Sequence, residues 1–225
     1  MKKILTFLVL PAIIVVLGVL IWNSIQEPVV FKKERENREK VAIQRLKDIR
    51  TLQTAYKSKF GKFTESMDTL IDFYNNGQIT IVKQIGSMDD SVAVANTEAL
   101  KKRNRKITNE ELLAYYEKGM NLVLSINTQI PVKDTLLKRE HFKVEDLKYI
   151  PFSEGATVDM KAIVKQVSGV DVPLFEASMP FSALLKGLNH QLIVNLNAER
   201  NDTGRYPGLK VGSVDAPNNN AGNWE

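Results

Sequence analysis

Side chains that could carry catalysis are few and widely spaced in this chain. There is no cysteine, which removes disulfides, thiolate metal ligands and cysteine nucleophiles together. The two histidines, His141 and His190, lie far in sequence from the acid and hydroxyl patterns of a catalytic triad, and neither belongs to an H-E-x-x-H metal motif. We therefore predict no enzymatic activity, no metal site and no cofactor.

Two further patterns resemble chemical motifs but indicate structure instead. Asp89-Asp90 and Glu110-Glu111 are adjacent acids, whereas paired catalytic carboxylates face each other across a cleft. The glycines of Gly204-Arg205-Tyr206-Pro207-Gly208 lack the strand-to-helix context of a phosphate loop. We predict solvation and helix capping for the acids, and a turn for the glycine-containing segment.

The strongest signal is an uncharged apolar run near the N-terminus, from Ile4 to Trp22. A helix of this length rises about 28 Å, close to the thickness of a bilayer's hydrocarbon core. We predict that residues 1–27 form a short basic start and a single transmembrane anchor. A cleaved signal peptide is the alternative, although no small-x-small cleavage site follows the run. A lipoprotein signal is excluded because there is no cysteine to acylate.

The orientation of this anchor is judged from the charges on its two sides. Basic residues follow the run as well as precede it, and counting them alone would place the rest of the chain in the cytoplasm. However, a short basic start followed at once by an apolar run is typical of exported signal anchors, and interspersed glutamates dilute the downstream flank. We predict a single-pass protein of the inner (cytoplasmic) membrane, with its soluble part extracytoplasmic.

The transmembrane helix is predicted to continue into a helical stalk of two helices, residues 28–77. The first is expected to start after Pro28, and its apolar residues recur at intervals of three and four. Thr64 is the expected cap of the second helix, and Asn76-Gly77 its stop. The apolar stripe has two interpretations: it packs on the protein's own domain, or it continues the membrane helix into a bundle with other subunits. The candidate interaction residues on it are Leu46, Ile49, Leu52 and Tyr56.

This stalk carries a family resemblance. The spacing of Leu46, Ile49, Leu52 and Ala55-Tyr56, followed by a turn at Phe60-Gly61-Lys62-Phe63 and by Leu70, resembles the region after the membrane helix in type IV pilins and type II secretion pseudopilins. The resemblance covers roughly residues 4–75. It implies an N-terminal helix that packs in a filament core or lies in the inner membrane, followed by a small antiparallel sheet.

The sequence departs from this family at its processing site. The prepilin-peptidase motif is absent, and no acidic residue lies between Lys3 and Gln26. The single-pass platform proteins of the same machines also place a membrane helix, a helical stalk and a small α+β domain in series. The resemblance therefore implies a structural or assembly component of a pilus-like or secretion-like machine, without deciding between a filament subunit and a platform protein.

Residues 78–119 are predicted to be a linker with one short helix. The segment QITIVKQIG is typical of a short strand, and Thr108 with Glu111 forms a capping box for a helix to Tyr116. The densest basic cluster of the chain lies between them, in a stretch predicted to be a solvated loop. It offers candidate contacts to anionic lipid or to an acidic partner through Lys101, Lys102, Arg103 and Arg105.

Residues 120–214 are predicted to form an α+β domain with a mostly antiparallel sheet. We expect strands over residues 121–127, 157–167 and 170–175, with Ser168-Gly169 as a hairpin turn, and further strands over residues 191–196 and 209–214. A short helix is expected between Pro180 and Gly187. The polar C-terminal tail, residues 215–225, carries Trp224, which is expected either to dock on the domain or to contact a partner.

The overall charge and composition limit the possible functions and partners. The net charge of +5 comes from interleaved acids and bases, and no aromatic residue lies within the basic cluster, so nucleic acid is not an expected partner. The predicted partners are the membrane and other proteins, including further copies of this chain. The main hypothesis is an anchored assembly component of the bacterial envelope; the alternative is a membrane-tethered domain that binds or senses an unknown ligand.

Overall fold

The computed structural model describes residues 10–225, which form an α+β chain with antiparallel sheets. The chain separates into two compact units. Unit 1 comprises Met1–Ile71 and His141–Glu225, and unit 2 is the intervening segment Asp72–Glu140. The first nine residues of the predicted anchor lie outside the described part of the chain.

A single helix, α1 (Leu10–Phe60), runs through the first quarter of the chain. The predicted continuation of the N-terminal helix into the stalk is confirmed, but the start predicted for the stalk helix after Pro28 is wrong, because α1 runs through this residue. Proline fits the helical φ angle and removes one backbone hydrogen bond; in this helix Pro28 falls in an exposed stretch. The predicted anchor and the first predicted stalk helix are therefore one continuous helix over residues 10–60.

The C-terminal half of α1 packs on the rest of unit 1. Leu46, Ile49 and Leu52 are completely buried. Buried Gln53 fixes the turn after the helix, since its side chain bonds both the carbonyl and the N–H of Thr64 at 2.6 and 3.1 Å. The next helix, α2 (Met67–Asn76), is capped by Ser66, whose hydroxyl accepts the Thr69 N–H, and not by Thr64 as predicted.

The sheet of unit 1 has the order β3-β4-β5, with strands β3 (Asp159–Val167), β4 (Val170–Pro180) and β5 (Gly208–Gly212), all antiparallel. The predicted hairpin is confirmed, because β3 and β4 pair along their whole length up to Val167 and Val170. Ser168 and Gly169 both have positive φ, the conformation that a two-residue hairpin turn requires.

Two helices connect β4 to β5. The short helix α5 (Phe181–Leu184) lies where predicted. The predicted strand over residues 191–196 is wrong, because this segment belongs to helix α6 (His190–Asp202). Asn189 caps α6 by accepting the Leu192 N–H, and the buried residues Ile193 and Leu196 are three apart, as a helix requires. The alternation of QLIVNL was too short to distinguish the two structures.

Unit 1 has one core between α1 and its sheet. Helix α1 contacts β4, β5, α5 and the short 3-10 helix Val144–Lys148. Phe175 of β4 is fully buried, and its ring lies 4.8 Å from that of Phe63. The other largest buried side chains of this unit are Phe181, Leu70, Leu147, Met179, Leu184 and Leu185.

Unit 2 is more regular than the linker predicted for residues 78–119. Strand β1 (Gln78–Ile85) pairs antiparallel with β2 (Leu124–Pro131) over eight residues, and a short 3-10 helix, Val132–Asp134, follows β2. Between the strands lie α3 (Ser91–Arg103) and α4 (Asn109–Glu117). The predicted capping box of α4 is confirmed. The small core consists of Leu112, Leu122 and Leu124 with partly buried neighbours.

Candidate interaction surfaces

The N-terminal half of α1 exposes its apolar side chains. Large apolar residues from Ile13 to Val30 are each about half exposed or more; Leu17 is 51% and Trp22 66% exposed. Within the described residues, α1 is the one helix that is long and apolar enough to cross a membrane, by length and composition. Because soluble surfaces rarely carry so continuous an apolar area, this segment needs a covering partner.

The rest of unit 1 first bonds α1 at Glu27, about 8 Å beyond Trp22 at 1.5 Å per residue. About 16 Å farther along the helix, Arg38 donates hydrogen bonds to the carbonyls of Leu184 and Lys186, at 3.3 and 2.8 Å, and pairs with Glu34 at 3.0 Å. The guanidinium also lies 4.9 Å from the ring centre of Phe152. These contacts fix the direction in which α1 leaves the unit.

An open groove lies at the same level. Its volume is about 790 Å³, and Asn189 and Glu27 are joined across it by a 2.6 Å hydrogen bond. The lining combines apolar side chains with two carboxylates, from Gln26, Glu27, Val30, Phe31, Glu34, Gly187, Leu188 and Asn189. Sequence analysis missed this groove because it arises where a distant loop meets the helix.

The stripe residues predicted to contact partners are mostly inside unit 1. Leu46, Ile49 and Leu52 have no exposed surface, so they stabilise the unit itself and cannot contact another subunit in this conformation. Tyr56 is half-buried and lies against Phe60, with ring centres 4.5 Å apart. Of the two interpretations of this stripe, packing on the protein's own domain describes these three residues.

A polar cluster accompanies the stripe between α1 and α6. Glu39 pairs with Arg35 at 3.4 Å, and Arg200 of α6 adds a second positive charge nearby. Burial raises the pKa of the Glu39 carboxyl, although both arginines oppose this effect. The nitrogen Nε of Arg35 and the oxygen Oδ1 of Asn197 are buried without a hydrogen-bond partner. Within the described residues, the cluster contains no group of three side chains that could hold a metal ion.

The basic cluster lies in unit 2, on the last turn of α3 and the loop after it. The predicted solvated loop is partly wrong, because α3 extends to Arg103 and places basic side chains at its C-terminus, where they complement the helix dipole. All the basic residues of this segment are exposed and make no salt bridge within the described chain: Lys101, Lys102, Arg103, Arg105 and Lys106.

Trp224 lies on unit 1, where its ring covers Gly222. The C-terminal segment, residues 213–225, follows β5 and bonds its edge: Gly212 N–H donates to Ala221, and Asn223 N–H to Lys210, both at 3.0 Å. Glu225 pairs with Arg50 of α1 at 2.8 Å, and this hydrogen bond lowers the pKa of the Glu225 carboxyl. The tail therefore docks on its own unit, and Trp224 is half-buried there.

The chemical groups that could form an active site remain dispersed. Among residues 10–225 no three His, Asp or Glu side chains come together as a metal site would require. His190 is the first residue of α6, and His141 precedes the 3-10 helix Val144–Lys148.

Comparison with known proteins gives no further assignment. No family model, curated protein or solved structure matches this chain.

Proposed function

We propose that this chain is a single-pass, membrane-anchored assembly component of an envelope machine, pilus-like or secretion-like, that acts through protein–protein contacts. The observation that carries this proposal is the division of α1 into two halves. One half exposes a continuous apolar surface, and the other is buried in unit 1. A bilayer or the helices of neighbouring subunits would cover the first half.

The continuity of α1 supports a mechanical role. A helix that is bonded to the rest of unit 1 from Glu27 onward, and that is uninterrupted back to Leu10, would transmit position and force without a flexible linker. The arrangement of a long helix with an antiparallel sheet packed on its C-terminal half agrees with what the pilin resemblance implies. In this proposal the soluble units are extracytoplasmic, on the far side of the inner membrane.

The membrane part of the proposal is tested by fractionation. The full chain is expected to remain in the pellet after an alkaline wash, and a variant lacking residues 1–27 is expected in the supernatant. A matched variant, Leu17→Arg with Leu20→Arg, should also lose membrane association while unit 1 keeps its circular dichroism spectrum. Retention of these variants in the membrane would contradict anchoring by α1.

The assembly part is tested by crosslinking in native membranes. The full chain should capture further copies of itself or components of a secretion or pilus machine, and the chain without residues 1–27 should capture neither. If the full chain is anchored but captures no such protein, the assembly role is wrong and the anchor serves another purpose.

The groove favours a second candidate function, a membrane-tethered ligand-binding or sensing domain. Its apolar walls and the exposed carboxylate of Glu27 suit an amphipathic cation, and it lies beside the point where α1 leaves the apolar segment. Binding of a cationic amphiphile such as dodecyltrimethylammonium, weakened at least tenfold by Glu27→Gln, would support this candidate. Lys33→Gln, outside the groove lining, is the control.

A further inference from the structure

The basic cluster of unit 2, residues 101–106, is held by the structure at both of its ends. Leu100 and Ile107 flank it, and both pack against the core of the unit. The chain turns tightly between them, since the Asn104 N–H donates to the Leu100 carbonyl at 2.9 Å and the Ile107 N–H donates to the Asn104 carbonyl at 3.1 Å. The five cations of the cluster therefore project from an ordered backbone.

These cations have no acidic partner within residues 10–225. Glu98 lies about one helical turn before Lys101 and Lys102 on α3, but it forms no ion pair with either. The other acids nearby, Glu110 and Glu111, belong to the first turn of α4, where Glu111 completes the capping box. Because like charges repel, a concentration of unpaired cations is stabilised by contact with an anionic surface.

A polar pocket of about 360 Å³ opens beside the first residue of the cluster. Lys101 is the one charged side chain among the described residues that line it, and Gln84, Asn109 and Ser125 add hydrogen-bond donors. None of these four side chains makes a hydrogen bond within residues 10–225, so their donors are available to a ligand. Such a lining suits the oxygens of a phosphate group.

An exposed apolar side chain lines the same pocket. Met88 is 68% exposed, although it is large and apolar. A phosphate ion in solution offers no apolar contact to this side chain, whereas a phospholipid carries a phosphate and acyl chains in one molecule. The lining therefore favours a phosphate at the surface of a bilayer over a phosphate in solution.

The composition of the cluster favours a bilayer over an acidic protein. Protein interfaces are depleted in lysine, and their binding energy comes mostly from buried aromatic and arginine anchors. Three of the five cations are lysines, and residues 101–106 include no aromatic or aliphatic side chain. Anionic lipids attract a group of exposed Lys and Arg residues through their shared surface charge, without a matching site for each cation.

We propose that the basic cluster of unit 2 docks on anionic phospholipid headgroups, with one headgroup phosphate bound by Lys101 in the pocket that Asn109 and Ser125 also line. This inference rests on the proposed anchoring of the chain by α1, because the anchor keeps a bilayer at high local concentration for unit 2. Unit 2 is then a second membrane contact, which strengthens with the anionic lipid content and weakens at high salt.

Chemical labelling of lysines in lipid nanodiscs tests the docking. The full chain is placed in discs of phosphatidylcholine alone, or of an equal mixture with phosphatidylglycerol, and acetylation of each lysine is followed by mass spectrometry. At low salt, the lysines of the cluster should react at least about fivefold more slowly in the anionic discs, and high salt should abolish this protection. Lys133, an exposed lysine of the same unit, is the internal control.

Each other outcome contradicts a separate part of the proposal. Equal rates in the two kinds of disc, or equal protection of Lys133, would overturn the docking. Inorganic phosphate that protects Lys101 in phosphatidylcholine discs as well as phosphatidylglycerol does would overturn the choice of a lipid headgroup. Retention in phosphatidylcholine discs reports anchoring alone, since these discs have no net charge, so the proposed function and this inference can fail independently.

Charge reversal provides the second measurement. Lys102→Glu with Arg105→Glu should abolish the protection of Lys101 and Lys106 by phosphatidylglycerol. Both changes are at exposed positions, and an unchanged circular dichroism spectrum confirms folding. Lys83→Glu with Lys133→Glu is the matched control, because it makes the same charge change at exposed positions of unit 2 outside the cluster. Protection that survives in the first variant, or that is lost equally in both, would overturn the proposal.

Discussion

The two sheets of this chain differ in what covers their faces and edges. In unit 1, α1 packs against the sheet, and the edge of β5 is bonded by Ala221 and Asn223 of the C-terminal segment. In unit 2, the ribbon β1/β2 has no third strand within residues 10–225, and its small core centres on three buried leucines. A sheet with a large core and covered edges is stable alone, whereas a two-stranded ribbon with a small core is marginal. We therefore expect unit 1 to be the more stable unit and unit 2 to change its conformation more easily.

The largest effect is expected from removing a ring in the core of unit 1. Phe175→Ala should destabilise this unit by about 3–5 kcal/mol, because it leaves a cavity where the ring contacted Phe63. Hydrogen exchange should show faster exchange in β4. Val82→Ala, on the exposed ribbon, should change stability by less than about 0.5 kcal/mol. Equal effects of both changes would remove the distinction between the two sheets.

Truncating a core side chain of unit 2 tests whether this unit unfolds independently of unit 1. Leu112→Ala should cost roughly 2–4 kcal/mol, enough to unfold a unit with so small a core. Exchange should rise in β1, β2 and α4, and amides of β4 should keep their protection. Val92→Ala, on an exposed part of α3, is the control and should leave both units unchanged. Loss of protection in β4 would show that the two units unfold together.

A smaller loss of stability is expected when the turn that follows α1 is changed. Gln53→Leu leaves the N–H and carbonyl of half-buried Thr64 without their side-chain partner, which costs about 1–3 kcal/mol. Thermal unfolding of the full chain in micelles should report this as a lower midpoint. Thr54→Ala removes only a local hydroxyl bond on the exposed face of the same helix, and we expect a change below about 0.5 kcal/mol.

The smallest effect concerns the edge contact of the C-terminal segment. The pKa of Glu225 is lowered by its hydrogen bond to Arg50, so the ionised form is favoured when the segment is docked. The ion pair therefore stabilises the docked segment at pH values above the ordinary glutamate pKa. This stabilisation is lost as the pH falls through the lowered pKa of Glu225. Fluorescence of Trp224, in a Trp22→Phe background, should therefore change on acidification.

A substitution identifies the group responsible for that change. Glu225→Gln should remove the acid-dependent part of the fluorescence change. Glu154→Gln should leave it intact, because the pKa of Glu154 is lowered by Lys186, elsewhere on the unit. A response that survives Glu225→Gln would assign the transition to other carboxyls.

Local signals were sufficient where neighbouring residues carry all the information. The capping box at Thr108 and the hairpin turn at Ser168-Gly169 were predictable because each is specified within four residues. The prediction of a strand over residues 191–196 was wrong because six residues of alternating polarity are compatible with a strand or a helix. The cap at Asn189 and the packing of Leu196 favour the helix. The groove at Glu27 and Asn189 could not be predicted, since its two walls are more than 150 residues apart.

The sequence by itself determined the apolar segment before Trp22 and the helical stripe of Leu46, Ile49 and Leu52, because periodicity and charge are local properties. Only the tertiary structure decided which surfaces those residues cover. It buried the stripe in unit 1, docked Trp224 and left every side chain of β1 at least partly exposed. The physical reason is that burial depends on long-range contacts, and identical local patterns are satisfied by the chain's own sheet or by a partner.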